Sequence, residues 1–139
     1  MTRVLLLLLL VGVLGLVACG GTPPTATPTF ARYDVAAVVA VLQPLGITNV
    51  QPSVRDPQSL APNTARDQRE FTIPSIAPKG GQLLLFATAS DLAALQTWYA
   101  RFPDLAPYVY VHGNAMLQLN SSLPAAEAAR YQVALNSLP

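Results

Sequence analysis

Residues 70–87, EFTIPSIAPKGGQLLLFA, predict the β-hairpin on which the rest of the fold depends. Residues 70–76 alternate, with Phe71 and Ile73 on one face, and Pro74 suits an edge strand. The turn at residues 77–81 contains the glycines that positive φ angles favour. Residues 82–87 then form a continuous apolar run, which is typical of a strand buried on both faces.

Helical patterns lie on both sides of this hairpin. Residues 33–46 predict a first helix that Asp34 caps and that Gly46 ends in a left-handed conformation. Its β-branched valines leave a strand open as the alternative for residues 38–42. Residues 88–102 predict a second helix, since Thr88-x-x-Asp91 is close to a capping box and three large side chains follow at helical spacing, Leu92, Leu95 and Tyr99.

The remaining segments complete the pattern. Residues 47–56 predict a short strand that Pro52 confines to an edge or bulge. Residues 57–68 form a polar loop without periodicity, for which we favour mobility over function. A second hairpin, residues 108–111 and 115–119, surrounds the turn His112-Gly113-Asn114. For the last helix we expect Ser121 or Ser122 as its cap and Pro124 in its first turn.

The predicted order is α-β-loop-β-β-α-β-β-α, which indicates an α+β fold. We expect a small, mainly antiparallel sheet of four to five strands with three helices packed on it. The helices are expected on one face of the sheet. Part of residues 83–86 is expected to pair in parallel with a neighbour across the second helix.

The first twenty residues, MTRVLLLLLLVGVLGLVACG, have the layout of a secretory signal peptide. Arg3 provides a positive start, and residues 4–18 are an uncharged and largely apolar run. This run is shorter than the roughly 20 residues that a transmembrane helix needs, and no basic stop-transfer cluster follows it. An uncleaved anchor and simple secretion remain the alternatives.

The end of this stretch, Leu16-Val17-Ala18-Cys19, resembles the lipobox of bacterial lipoproteins. The resemblance implies cleavage between Ala18 and Cys19, with diacylglycerol joined to the Cys19 thiol. It also implies a location on the extracytoplasmic side of a bacterial membrane, with the bilayer as partner through acylated Cys19. We therefore divide the chain into a signal peptide (1–18), a lipidated cysteine with a Pro/Thr-rich tether (19–31), and a single domain (32–139).

The cysteine count and the charge balance bear on the expected disulfide content and on the kinds of partner that the domain binds. Cys19 is the only cysteine, so the domain is expected to fold without disulfides. Without Arg3, basic and acidic residues are equal in number, at seven each. No Lys/Arg cluster exists that could follow phosphates, so nucleic acid is not an expected partner. An envelope protein or a glycan is the expected class of partner besides the bilayer.

The sequence contains few residue patterns that indicate catalysis. His112 is the only histidine, and its place in a turn favours a solvated side chain over a catalytic one. No zinc ligand set, calcium loop or phosphate-binding glycine motif is present, and no cofactor is expected. Three loop carboxylates, Asp56, Asp67 and Glu70, leave a small hydrolase open as an alternative.

We therefore predict a membrane-anchored, non-enzymatic binding or envelope-interaction module. Tyr108, Tyr110 and His112 are candidate ligand contacts, because exposed tyrosines suit protein or glycan surfaces. The structural alternative places one tyrosine face against the helices, as part of the core. A structural spacer, or an inhibitor of a neighbouring protein, is a further alternative.

Overall fold

The structure is a computed structural model that describes residues 30–139. The predicted signal peptide, Cys19 and most of the tether lie outside this range. The described residues form five strands and three α-helices, which confirms the predicted α+β class. Two short 3₁₀ turns accompany them, Gln43–Leu45 and Pro74–Ile76. In chain order the elements are α1 (Val35–Leu42), β1 (Thr48–Pro52), β2 (Ala65–Thr72), β3 (Gly80–Phe86), α2 (Ala89–Arg101), β4 (Tyr108–His112), β5 (Ala115–Leu119) and α3 (Ala125–Leu135).

The strands form one sheet in the order β1-β2-β3-β5-β4, and every neighbouring pair is antiparallel. The connection through α2 carries the chain from β3 to β4, and β5 then inserts between these two strands. β3 and β4 therefore run in the same direction without touching as a pair. The parallel pairing expected for residues 83–86 is wrong, because β3 pairs with β2 and β5 only.

The helices cover both faces of the sheet. Leu83 and Leu85 of β3 pack in the cluster formed with α1 and α3, whereas Leu84 and Phe86 pack in the cluster formed with α2. The expectation of helices on one face is therefore wrong. The physical reason is the apolar run in β3, where all four side chains are buried and both faces have to be shielded from water.

The larger core lies between the sheet and the pair α1 and α3. Val38 and Leu42 of α1 are completely buried there, and Tyr131 and Leu135 of α3 are almost completely buried. Burying a large apolar side chain contributes about 1.5–3 kcal/mol, so this cluster holds the two terminal helices on the sheet. The helix predicted for residues 33–46 is confirmed, and the strand alternative for residues 38–42 is wrong.

Most predicted helix ends are confirmed. The Asp34 carboxylate accepts from Ala37 N at 2.8 Å, and Thr88 Oγ1 accepts from Asp91 N at 3.1 Å. Gly46 has a φ of +83°. For α3, however, neither expected serine is the cap. Pro124 occupies that position, and Ser122 instead donates its amide to the Asn120 side chain in the preceding turn.

Two boundaries near the first hairpin differ from the prediction. β2 begins at Ala65, within the segment predicted as a loop, and ends at Thr72. Its side chains are mostly polar, so periodicity gave no signal, but ladders to β1 and β3 satisfy its backbone on both sides. Pro74 lies in the following 3₁₀ turn rather than in a strand.

Candidate functional site

A row of polar side chains crosses four strands on the face that carries α2. Gln51 of β1 lies opposite Glu70 of β2, and Glu70 lies opposite Gln82 of β3. Gln82 in turn lies opposite Gln118 of β5. We call these four residues the polar row. Three strand spacings of about 4.8 Å make the row about 14 Å long.

The polar row is open because α2 covers only the neighbouring part of this face. Leu92 and Leu95 of α2 pack with Leu84 and Met116, which lie two residues beyond the row on β3 and β5. The uncovered part forms the floor of a cavity of about 640 Å³. The cavity wall includes Asn49, Val50, Thr72, Leu105, Asn120 and Ser121.

Hydrogen bonds orient the side chains of the row. Gln51 Nε2 donates to Glu70 Oε1 at 2.6 Å. Gln68 Nε2 donates to Gln82 Oε1 at 3.1 Å, and Tyr99 Oη of α2 donates to Gln118 Oε1 at 2.6 Å. The amide oxygens of Gln82 and Gln118 therefore accept hydrogen bonds from within the protein. Their amide nitrogens are left to donate to another molecule.

Four polar groups of the row have no hydrogen-bond partner among residues 30–139. They are the amide nitrogens of Gln82 and Gln118, the amide oxygen of Gln51 and the second carboxylate oxygen of Glu70. In the same residues, Tyr131 Oη is the only buried side-chain polar atom without a partner. The four groups of the row are therefore open to solvent, and they present two donors and two acceptors to the cavity.

Tyr99 links α2 to the row as a neutral hydrogen-bond donor. Burial raises the pKa of Tyr99 above its ordinary value of 10.0, and the positive charge of Arg55 acts in the opposite direction. Because burial is the larger cause, the hydroxyl keeps its proton at neutral pH. The bond from Tyr99 to Gln118 is therefore present in the physiological range.

The segment between β1 and β2 covers another part of this face and is organised around Arg55. The Arg55 guanidinium donates to the carbonyl oxygens of Ser59, Ala61 and Pro62. The enclosed space is a second cavity of about 210 Å³. Glu70 and Gln82 line both cavities, so the two adjoin along the polar row.

The structure brings together two of the three carboxylates considered for a hydrolase. Asp56 and Glu70 both line the smaller cavity. Each already has a partner, since Asp56 Oδ1 accepts from Gln58 N at 2.8 Å and Glu70 accepts from Gln51. Asp67 is not part of this cavity and instead forms a salt bridge with Arg69 at 2.9 Å.

The chain enters the domain at the opposite end of the sheet. Asn114, in the turn between β4 and β5, is 1% exposed and accepts from Tyr33 N at 2.7 Å. Its amide nitrogen donates to Tyr33 O at 3.1 Å and to Phe86 O at 3.4 Å. Gln118 lies four residues further along β5, about 13 Å from this attachment point.

The candidate contacts on β4 lie on the other face of the sheet. Tyr108 and Tyr110 are half-buried and pack against the α1 and α3 core, as the structural alternative predicted. Burial raises the pKa of Tyr110 above 10.0, with a smaller contribution from Tyr108. His112 stacks on Tyr33 with ring centroids 5.7 Å apart. None of the three lines either cavity of the polar row.

The described part of the chain contains neither a metal-ligand cluster nor a membrane-spanning helix. Within residues 30–139, no three His, Cys, Asp or Glu side chains are grouped so that they could hold a metal ion. No helix in this range is both long enough and apolar enough to cross a bilayer. Ala18 and Cys19 lie outside the described residues, so cleavage and lipid attachment there stay predictions.

Comparisons with other proteins found no relative. No protein-family model matches the chain, and no match was found among curated proteins or solved structures.

The polar row was missed at the level of sequence because its members are far apart in the chain. Each glutamine is a single polar residue next to apolar neighbours, as in QLLLF and AMLQL. Only the pairing register places them side by side. The signal that could have indicated the row was the presence of single glutamines in otherwise apolar strands. Because glutamine carries no charge, the charge pattern of the sequence did not mark these positions.

Proposed function

We propose that this protein is a membrane-anchored extracytoplasmic lipoprotein whose folded domain is a non-enzymatic binding module. Ligand binding is assigned to the polar row. The observation that supports this assignment is the set of open hydrogen-bonding groups on Gln82, Gln118 and Glu70 at the floor of the larger cavity. Groups of this kind, fixed by neighbours and grouped in a concave site, provide the polar contacts that orient ligands.

The position of the tether supports the same proposal. The proposed lipid attachment is at Cys19, which precedes Phe30 by eleven residues. The described chain joins the domain beside Asn114, at the end of the sheet away from the polar row. The point of entry into the domain is therefore separate from the cavity.

A small hydrolase is the second candidate, because Asp56 and Glu70 line one cavity. Paired carboxylates at a suitable distance can act as general acid and base. The two candidates differ in what happens to bound material. A binding module releases its ligand unchanged, whereas a hydrolase releases fragments in amounts that increase with time and depend on Glu70.

The anchor is tested by intact-mass analysis of the full-length product extracted from membranes. We expect the mass of a chain that begins at Cys19 and carries acyl groups. Cys19→Ser should carry no acyl mass, whereas Thr22→Ser, a similar change three residues away, should be processed normally. An acylated or normally cleaved Cys19→Ser protein would contradict the lipoprotein assignment.

The binding site is tested with full-length protein in detergent micelles and washed, lipid-free envelope fragments of the organism that makes it. We expect the wild type to sediment with the fragments and Gln82→Leu/Gln118→Leu to remain in solution. The matched control is Gln96→Leu/Gln132→Leu, which makes the same change at exposed helix positions. Equal sedimentation of the row variant and the control would refute the site. Soluble fragments released by the wild type but not by Glu70→Gln would favour the hydrolase.

A further inference from the structure

We infer that the polar row binds a neutral oligosaccharide, an inference that rests on the proposed binding function. The larger cavity offers hydrogen-bonding donors and acceptors, a partly apolar rim and, within the described part of the chain, no positively charged lining residue. The ligand that fits this combination is uncharged, carries closely spaced hydroxyl groups and extends across several strands.

Hydrogen-bonding capacity is the first argument. A hydroxyl group both donates and accepts, and amide side chains beside a carboxylate can satisfy both functions. The row provides donors at Gln82 and Gln118, about 5 Å apart on neighbouring strands, and an acceptor at Glu70 on the next strand. Neighbouring hydroxyls of one saccharide chain can use these groups in sequence.

Charge is the second argument. Among residues 30–139, Glu70 is the only charged residue that lines the larger cavity. A phosphate, a nucleotide or an acidic sugar would meet this carboxylate without any Lys, Arg or His to offset it, and like charges at short range repel. The ordinary pairing of anionic ligands with Arg or Lys is therefore missing from the cavity wall.

The position of the row within the sheet is the third argument. Extended peptides bind sheets mainly by adding a strand at an edge, where backbone groups are unpaired. Three of the four strands that the row crosses, β2, β3 and β5, are interior strands whose backbones pair on both sides, and only Gln51 lies on the edge strand β1. Recognition here depends on side chains, and this favours ligand hydroxyls over a peptide backbone.

The rim adds a surface for the carbon–hydrogen faces of sugar rings. Val50 and Leu105 line the larger cavity and are 37% and 64% exposed. Apolar side chains beside polar ones are the usual composition of small-molecule sites, in which a few polar groups fix orientation. A saccharide ring has the same combination of an apolar face and a hydroxyl edge.

The inference is tested by competition in the sedimentation assay. The probes are pentasaccharides of neutral sugars (glucose, N-acetylglucosamine, mannose and xylose), a pentamer of galacturonic acid, and an uncharged Ser/Thr/Gly peptide of similar length. We expect at least one neutral pentasaccharide to release the protein from envelope fragments, and the acidic pentamer and the peptide to have no effect. Failure of every neutral probe at millimolar concentration would overturn the inference.

Variants separate hydrogen bonding from charge. Loss of two ligand hydrogen bonds in Gln82→Leu/Gln118→Leu should weaken saccharide binding about 10- to 100-fold, with Gln96→Leu/Gln132→Leu unchanged. Glu70→Gln removes the charge and keeps the shape, so it should admit the acidic pentamer while retaining the neutral one. Thermal unfolding of each variant shows that it is folded. Continued exclusion of the acidic pentamer by Glu70→Gln would overturn the charge argument.

The outcomes distinguish this inference from the proposed function. If envelope binding depends on the row but protease treatment of the fragments abolishes it, the ligand is a peptide and the saccharide inference fails alone. If the row variant binds envelope fragments as well as the wild type does, the proposed site itself fails.

Discussion

Replacement of Asn114 by alanine should detach the start of the folded domain from the sheet. The Asn114 side chain makes three hydrogen bonds, one from Tyr33 N and two to the carbonyl oxygens of Tyr33 and Phe86. A hydrogen bond contributes about 0.5–1.5 kcal/mol, and an unpaired buried group costs more. Since Asn114 is almost completely buried, we expect the free energy of unfolding to fall by roughly 2–4 kcal/mol.

The assay is thermal unfolding of the full-length protein, followed by circular dichroism. For a domain of this size a loss of 2–4 kcal/mol lowers Tm by about 8–20 °C. The matched control is Asn120→Ala, because the Asn120 side chain makes one exposed bond, from Ser122 N at 3.0 Å. We expect this control to cost less than about 1 kcal/mol.

Hydrogen exchange locates the effect. The Tyr33 amide should exchange much faster in Asn114→Ala and at the wild-type rate in Asn120→Ala. If the two variants are equally stable, or if Tyr33 stays protected without Asn114, the attachment does not depend on this side chain.

Two further substitutions test a buried hydroxyl and a part-buried guanidinium group. Tyr131→Phe removes a buried hydroxyl that has no partner among residues 30–139, so the variant should be as stable as the wild type or about 1 kcal/mol more stable. Burial, and to a lesser extent Glu127, raises the pKa of Tyr131, so the folded state holds this proton more tightly than the unfolded state. The free energy of unfolding should therefore fall as pH rises above about 10, the pKa of tyrosine in the unfolded chain. The fall should be smaller in Tyr131→Phe. Urea titrations at pH 8 and pH 11 measure both effects. Arg55→Ala removes the donor to three carbonyl oxygens, so proteolysis between residues 53 and 64 should become faster. Arg55→Lys should be cleaved at an intermediate rate. An unchanged cleavage rate in Arg55→Ala would contradict the role of Arg55.

The elements that the sequence predicts well are those defined by neighbouring residues. The second hairpin forms at the expected turn, and α2 begins after Thr88, whose hydroxyl accepts from Asp91 N and donates to the Asp91 carboxylate. Both signals lie within a few residues of the element they define, so no distant contact is needed to interpret them. The same holds for Asp34 at the start of α1.

The features that the sequence does not predict depend on distant partners. β2 has the polar sequence ARDQREFT, and it is a strand because β1 and β3 pair with it on both sides. The position of α2 opposite α1 and α3 follows from Leu84 and Phe86, whose pattern shows burial on both faces without showing which helix covers which face. The candidate site depends on register in the same way.

Two adjacent cross-strand residue pairs, here called rungs, lie on the face of the sheet that carries α2 and explain the position of the site. One rung pairs Leu84 with Met116, and both side chains are buried under α2. Two residues further along the same strands, Gln82 pairs with Gln118. Extending the helix cover over this second rung would bury amide groups without partners, at a cost of about 1–3 kcal/mol for each. The change from leucine and methionine to glutamine thus ends the hydrophobic core and begins the open floor of the cavity.

A sheet face that served only for solubility would be equally stable with Lys and Glu at these positions, because charged side chains are the usual solution for exposed surfaces. Neutral amides oriented by Gln68 and Tyr99 are instead suited to a ligand that brings its own hydrogen-bonding groups.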